Sequence, residues 1–330
     1  MAGLRVIDCG SCTTIQDHGR FGFRRFGVST SGWVDRSSAR LANALVGNSP
    51  FEACVEFQLA GGRLSVEDKE VAIALVGPDC PLRIEGSFVP SNRSARAKNG
   101  DIVEVGPVRG GVYAYLAVGG GIDLQPQMGS LSAHARTGIG GKTLAAGDRL
   151  PTKAPERGKL LEAVPTTGDD DPIRFVAGPQ NDYFAAEALT LLAQCPFTVR
   201  HDSDRMACRL SGPELRHLGD ANIVSDGVLP GSIQVPGDGV PTVLLRDCPP
   251  TGGYPKIATV ISSDLDRLAQ ISPGGIVNFS SVTLDEAVAA AVLAKTRMDR
   301  TLSSIRPVSL GPTTESLLSV NLIHGSTDGL

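Results

Sequence analysis

Apolar residues in this chain gather in short runs, and most of those runs lack a helical period. "LRVIDC" at residues 4–9 reads as a strand, and "ACVEFQL", "VAIALVG", "DIVEVG" and "GVYAYLAVGGG" follow over residues 53–121. Gly, Pro, Asn or Asp punctuates each run, as expected of strands joined by tight turns. Beyond residue 172 the habit returns in "IRFVAG", "FTVRH", "GSIQVPG" and "PTVLLRD".

Four stretches carry a helical pattern instead. In "DRSSARLANALVGN" Asp35 is placed as the N-cap, Leu41 and Leu45 share a face, and Gly47 sits where a left-handed C-terminal residue belongs. "NDYFAAEALTLLAQ" reads as a helix with Asn181 or Asp182 at its cap. "SDLDRLAQI" spaces Ser263 and Asp266 as a capping box. The longest helix begins near Thr283, which forms the same box with Glu286, and Leu284, Val288 and Val292 line one of its faces. The tail beyond Ile305 offers no element to assign.

Residues 151–172, "PTKAPERGKLLEAVPTTGDDDP", are polar and Pro-rich and end in three aspartates. They read as a linker between residues 1–150 and residues 173–330. The two halves share no aligned repeat. The expected architecture is mostly β with a few helices: two β-rich subdomains, each a closed or nearly closed barrel, the second carrying the C-terminal helix.

Composition narrows the function. With Lys+Arg 31 against Asp+Glu 35 the net charge is -4. No basic block is present, which argues against a nucleic-acid partner. No apolar run approaches the roughly 20 residues that span a bilayer. "MAGLRVIDCGSC" lacks the order of a signal peptide, so the expectation is a cytoplasmic protein with no membrane partner. The 7 cysteines are odd in number and scattered, which fits thiols better than a disulfide framework. Cys9 and Cys12 form a lone C-x-x-C without the second pair or nearby histidines of a structural zinc site, so no metal is expected.

Several motifs carry possible chemistry. "TGIGGKTL" fails as a phosphate loop, because Arg136 stands where G-x-x-x-x-G-K-[ST] needs glycine. "GGGIDL" has no dinucleotide spacing. "TTIQDHGRFGFRRFGV" places Gln16, Asp17 and Arg20 in a Gly-rich loop that either binds a polar ligand or holds its own shape. "HDSDRMACRL" offers Asp204 and Arg205 with the same two readings. Gln234 in "GSIQVPG" can orient an amide by paired hydrogen bonds from a barrel mouth, or face solvent. "CPPTGGYPKIATVI" is the most informative stretch. A strand ends at Asp247, and the chain returns through Thr251, Gly252 and Gly253 into an apolar run. Two glycines after a Thr keep backbone N–H groups open as an oxyanion hole, and Lys256 can neutralise developing negative charge.

"TTIQDHGRFGFRRFGV", "ARLANALVGN", "YLAVGGGID", "TGIGG", "SDRM-CRL", "GSIQVPGDG-P" and "TGGYPKIATVI" occur here in that order. Together they resemble the biotin-dependent carboxyltransferase family, which includes the C-type subunit of 5-oxoprolinase and allophanate hydrolase subunit 2. The resemblance runs from about residue 6 to about residue 290 and implies a cyclophilin-like fold of two β-barrel subdomains. It implies a second cyclophilin-like subunit as partner (the B-type subunit of 5-oxoprolinase or allophanate hydrolase subunit 1), a third subunit in some complexes, and a small amide substrate. It implies ATP-dependent opening of a lactam or amide C–N bond. Alternatives are biotin-dependent carboxyl transfer to urea or another amide, and a non-catalytic antagonist of a cyclophilin-like partner. ATP would be bound mainly by a partner, and biotin would not be attached to this chain, which has no biotinylation motif. By motif position, Lys256, Thr251, Gly252, Gly253 and Asp247 carry the chemistry. Gln234, Tyr254, Gln16, Asp17, Arg20, Asp204 and Arg205 line the substrate or partner surface. One departure stands out: relatives read D-x-Q-T-T-G-G-Y-P, whereas Pro249 and Pro250 here replace the Gln and the first Thr. That removes an amide, a hydroxyl and two backbone donors.

Overall fold

The computed structural model describes residues 2–153, 158–164 and 171–308. In the first half, a six-stranded sheet runs in the order Arg149–Pro151, Gly3–Cys9, Gly62–Glu67, Ile102–Val105, Leu82–Ile84, Ser87–Val89. A five-stranded sheet runs Thr14–Gln16, Cys54–Gln58, Tyr113–Val118, Val71–Val76, Ser94–Ala97. The two sheets enclose a core that includes Leu4, Phe57, Leu64, Ile73 and Val103.

Tyr113–Val118 explains how the halves join. Successive side chains of a strand point to opposite faces. Ala114, Leu116 and Val118 enter the first core. Tyr113, Tyr115 and Ala117 enter a second core shared with Leu41, Leu45, Phe175 and Ile257. Burial on both faces is why this strand reads as a continuous apolar run.

The second half is one eight-stranded sheet, ordered Ile276–Val277, Phe197–Val199, Ala207–Ser211, Thr242–Leu244, Ser232–Gln234, Lys256–Val260, Ile173–Ala177, Phe279–Ser281. Its two edge strands are separated in sequence only by Asn278. The sheet must therefore curl until its edges nearly meet, which makes it a nearly closed barrel. Thr242–Leu244 and Lys256–Val260 do not pair as a hairpin; both flank Ser232–Gln234. The chain between them instead forms a two-residue ribbon, Thr251–Gly252 against Asp226–Gly227.

Four α-helices lie among the described residues. Helix α1, Arg36–Leu45, starts as its sequence dictates: Asp35 Oδ1 accepts from Ser38 N at 3.0 Å, and Gly47 follows the helix at φ 75°. Helix α2 is shorter than its pattern, Ala188–Gln194. Asn181–Tyr183 is a separate 3₁₀ turn, and neither Asn181 nor Asp182 caps a helix. Phe184 breaks the continuity by turning extended to bury its ring beside His217. Helix α3 spans Leu265–Ala269, and the Ser263–Asp266 capping box does not form. The Asp266 carboxylate instead accepts from Ser37 N at 3.1 Å, from Ser37 Oγ at 2.8 Å and from Arg36 Nε at 3.2 Å, tying α3 to the first turn of α1.

Helix α4, Leu284–Ser303, carries the Thr283–Glu286 capping box. Leu284, Val288 and Val292 do share one side, but it faces outward, at 71%, 57% and 60% exposure. The packed side is an alanine seam, Ala287, Ala290, Ala291 and Ala294, continued by Met298 and Thr301. Small side chains let α4 lie close to α1 and to Ile173–Ala177.

Of the expected linker 151–172, residues 154–157 and 165–170 lie outside the described residues, as does the tail 309–330. Leu161–Glu162 pairs antiparallel with Arg306–Pro307, which gives the chain beyond Ile305 a short strand. Among the described residues no helix is long and apolar enough to cross a membrane.

Candidate functional site

The mouth of the second barrel gathers Lys256, Gln234, Gln180, Asp226, Tyr254 and Thr251–Gly253. A register shift between Ile233 and Gln234 sets Gln234 opposite Lys256. A bulge of this kind re-aims side chains where a regular ladder would alternate them away. Gln234 Nε2 donates to Tyr254 O at 3.4 Å. Gly252 lies against the same amide: a Cβ there would come within 2.4 Å of Gln234 Nε2. A side chain at 252 would therefore push the Gln234 amide aside. Among the described residues the Gly253 N–H meets no acceptor, while the Gly253 carbonyl accepts from Ile223 N at 2.8 Å.

Lys256 begins the apolar strand KIATV and is only 4% exposed. A buried ammonium requires a counter-charge. Asp226 supplies it, with Lys256 Nζ to Oδ2 at 2.6 Å. Gln180 completes the contact: its Nε2 donates to Asp226 Oδ2 at 3.3 Å and its Oε1 accepts from Lys256 N at 3.2 Å. The Lys256 side chain, followed by the Gly227 N–H, holds the Asp226 carboxyl below its ordinary range.

Asp247 and Arg205 belong to a different place, the seam between the halves. Arg205 Nε donates to Asp247 Oδ2 at 2.9 Å and Nη2 to Oδ1 at 3.1 Å; the same guanidinium bonds Glu56 and, at 2.7 Å, Gly32 O. Burial draws the guanidinium toward neutrality, but Asp247 and then Glu56 outweigh it and hold Arg205 charged well above its ordinary value. Burial pushes the Glu56 carboxyl up against the pull of Arg205. The fork between two carboxylates favours the charged cluster.

Gln16, Asp17 and Arg20 hold their own loop. Asp17 accepts from Gly19 N, Ser130 Oγ, Leu131 N and Ser132 Oγ at 2.5–2.9 Å. Arg20, fully buried, donates to the carbonyls of Gln127, Ser130 and Ser132. Gln16 bonds Thr14, Ala133 O and Gly32 N. Asp204 caps its turn through Met206 N and Ala207 N and pairs with Arg136 at 2.7 Å. These contacts place none of the four side chains at the Lys256 mouth.

The loop before Thr251 is fixed by the other half through its carbonyls. Ser29 Oγ donates to Cys248 O at 2.9 Å, and Arg24 donates to Val228 O and Pro249 O. Pro249 and Pro250 have no N–H, but their carbonyls are both engaged, since Val228 N donates to Pro250 O at 3.0 Å. Sequence reading passes over Asp226, Arg24, Ser29 and Glu56. Only Glu56 leaves a signal: a carboxylate inside the apolar strand CVEFQ demands a cation.

A cavity of about 40 Å³ lies at the seam, lined by residues including Gln58, Tyr113, His201, Asp204 and Cys208, away from Lys256. It has room for water rather than for a ring. Among the described residues no three His, Cys, Asp or Glu side chains gather as a metal site.

Residues 26–281 match the family model described as carboxyltransferase domain, subdomain A and B. The chain is 37% identical over 292 residues to the 5-oxoprolinase C-type subunit of Escherichia coli (strain K12), covering 87% of this chain and 94% of that protein. It is 30% identical over 297 residues to urea amidolyase of Saccharomyces cerevisiae, covering 82% of this chain and 16% of that one. Among solved structures, TTHA0988 superposes with TM-score 0.77 at 35% identity, covering 85% of this chain and 56% of its own. Kluyveromyces lactis urea amidolyase superposes with TM-score 0.82 at 27% identity, covering 94% of this chain and 21% of its own. The chain thus spans about half of the first structure and a fifth of the second.

Proposed function

Because the chain belongs to the family of carboxyltransferase domains with subdomains A and B, we propose that it serves as one subunit of a hetero-oligomeric, ATP-dependent enzyme of the 5-oxoprolinase type, opening the C–N bond of a lactam or small amide. The observation that carries this reading is the end of the second barrel, where the buried Lys256 stands opposite Gln234 in the ladder and Gly252 packs against the Gln234 amide. The Gln234 amide orients a planar substrate amide by complementary donor and acceptor. As the carbonyl carbon is attacked, negative charge grows on its oxygen, and Lys256 Nζ with the Gly253 N–H stabilises it. Such fixed donors act without reorganisation at the moment of reaction.

ATP does not fit this chain's glycine turn at residues 137–144. A Cβ on Gly140 would lie 1.9 Å from Ser132 O and 2.6 Å from Arg20 Nη2, so the backbone is packed against protein and leaves no phosphate cradle. ATP, and biotin if carboxyl transfer is the reaction, therefore belong to a second cyclophilin-like subunit or a third subunit, in the cytoplasm. Likeness to urea amidolyase favours carboxyl transfer as the second reading, and avidin sensitivity of the complex separates it from the first.

The test uses the chain purified with its natural partners. ATP-dependent conversion of 5-oxoproline to glutamate should disappear when the chain is omitted, and fall at least about 100-fold in Lys256→Ala. Full turnover in Lys256→Ala, or turnover without the chain, would overturn the proposal.

A further inference from the structure

We propose that Arg246 is the centre of an anion site at the seam between the two halves, with Arg36 as its second cation, and that the site takes a small oxyanion, a carboxylate or a phosphate. It is separate from Lys256. Arg246 follows the far end of strand Thr242–Leu244, whose other end, Thr242, pairs with Gln234.

Three observations carry it. First, Arg246 lacks a counter-charge. Its Nη2 is enclosed by protein and meets no acceptor among the described residues. Its neighbours are paired, Arg205 with Asp247 and Glu56, and Arg36 with Asp266. Water can accept a hydrogen bond from a guanidinium but cannot neutralise it, and an enclosed cation without an anion is costly. Burial first, and then the like charge of Arg36, draw Arg246 down to about 10.

Second, the carboxylates at hand are committed elsewhere. Asp266 is the carboxylate that acts most on Arg246. Its Oδ1 accepts from Arg36 Nε, and its Oδ2 from Ser37 N and Ser37 Oγ. Asp35, beside Arg36 in sequence, is taken up by Ser38 and Gln270. A singly charged oxyanion next to Arg246 supplies the missing charge, and two of its oxygens match the planar guanidinium fork.

Third, the loop that meets Arg246 is strained and carries an idle hydroxyl. Ser31 N donates to Arg246 O at 3.2 Å. Ser31 sits at φ 53°, in the left-handed region that non-glycine residues rarely adopt. Its buried hydroxyl has no partner among the described residues. Such strain and such orphaned groups call for a function. Ser31 and Arg36 belong to the first half and Arg246 to the second, so a bound anion fastens the halves together.

The experiment is a thermal melt of the full chain at fixed ionic strength, in sodium chloride and with inorganic phosphate or acetate replacing part of the chloride. The wild type should melt at least about 2 °C higher in about 20 mM of one of the two oxyanions. A rise with phosphate alone assigns the site to phosphate groups, and a rise with acetate alone to carboxylates. Arg246→Leu breaks no bond and removes an uncompensated cation, so in chloride it should melt at or above the wild type, and it should not respond to either oxyanion. Arg246→Lys keeps the charge without the fork and should bind the same oxyanion at least about threefold more weakly. No rise in the wild type, an equal rise in Arg246→Leu, or a loss of stability in Arg246→Leu in chloride would overturn the inference. None of these readings depends on turnover or on Lys256.

Discussion

Arg205 grips Asp247 with two parallel bonds, at 2.9 and 3.1 Å, and with its remaining nitrogen reaches Glu56 from the other half of the chain. One guanidinium thus bridges two buried carboxylates that different subdomains contribute. Removing one partner of such a cluster leaves the others charged and unpaired, at a cost of about 3–5 kcal/mol. Arg205→Ala should lose that much in denaturant unfolding. Arg205→Lys keeps the charge but loses the fork, and should fall between. Wild-type stability in Arg205→Ala would show that the cluster does not hold the halves together.

Two glycines near Lys256 should respond differently to the same substitution. At Gly252 the added methyl meets the end of the Gln234 side chain at 2.4 Å, which can swing away. Gly252→Ala should cost less than about 1 kcal/mol in stability. It should lower kcat/KM by about 10–100-fold, because a displaced orienting group misplaces the substrate. At Gly178 the methyl meets Lys256 O at 2.2 Å and Ala258 N at 2.7 Å, both backbone. Gly178→Ala should cost about 2–4 kcal/mol by forcing the strand aside. Thermal melts alongside kinetics would separate the two; similar stability losses in both variants would contradict the argument.

The contrast shows how much was legible beforehand. The Thr251–Lys256 stretch announces itself because paired glycines and a lysine ahead of an apolar run are unusual chemistry locally. The mostly β architecture was legible too, since short punctuated runs are strands joined by tight turns. The sequence did not distinguish the two sheets of the first half from the nearly closed barrel of the second. What pairs with Lys256 was not. Asp226 lies thirty residues away, and its approach depends on a ribbon of two residues with no propensity signal. The charges of "TTIQDHGR" and "SDRM" could not reveal their use, because a carboxylate that binds ligand and one that ties a loop look alike in sequence. Asp17 and Asp204 are saturated by neighbouring N–H and O–H groups. Asp247 is taken up by Arg205, 42 residues earlier.

Helix α4 makes the same point through packing. Leu284, Val288 and Val292 form the more apolar stripe, yet the alanine seam packs, because the neighbouring α1 and strand leave room only for small side chains. Val288→Ser with Val292→Ser should therefore change stability by less than about 0.5 kcal/mol each. Ala290→Leu should cost about 1–3 kcal/mol through overpacking. Denaturant midpoints at constant m-value would check both, and the opposite ranking would mean that the outward stripe is covered.

Asp35 gives the fold a pH dependence of definite sign. Its carboxyl caps α1, accepts from Gln270 Nε2 at 2.8 Å, and is pushed up to about 6, first by burial and then by the charge of Asp266. A folded value above the unfolded one means that the native state holds the proton more tightly. The associated stability is fully present below the ordinary carboxylate range and is lost as pH rises through about 6. Unfolding free energy should therefore fall between about pH 4 and pH 6.5, by an amount on the order of 1–3 kcal/mol, and the melting temperature should fall with it. Asp35→Asn should start lower, because its amide N–H₂ would face the Gln270 Nε2, which cannot turn over while Gln270 Oε1 accepts from Val112 N and Tyr113 N. The variant's melting temperature should nonetheless be flat across that window. A slope that persists unchanged in Asp35→Asn would assign the titration to another group.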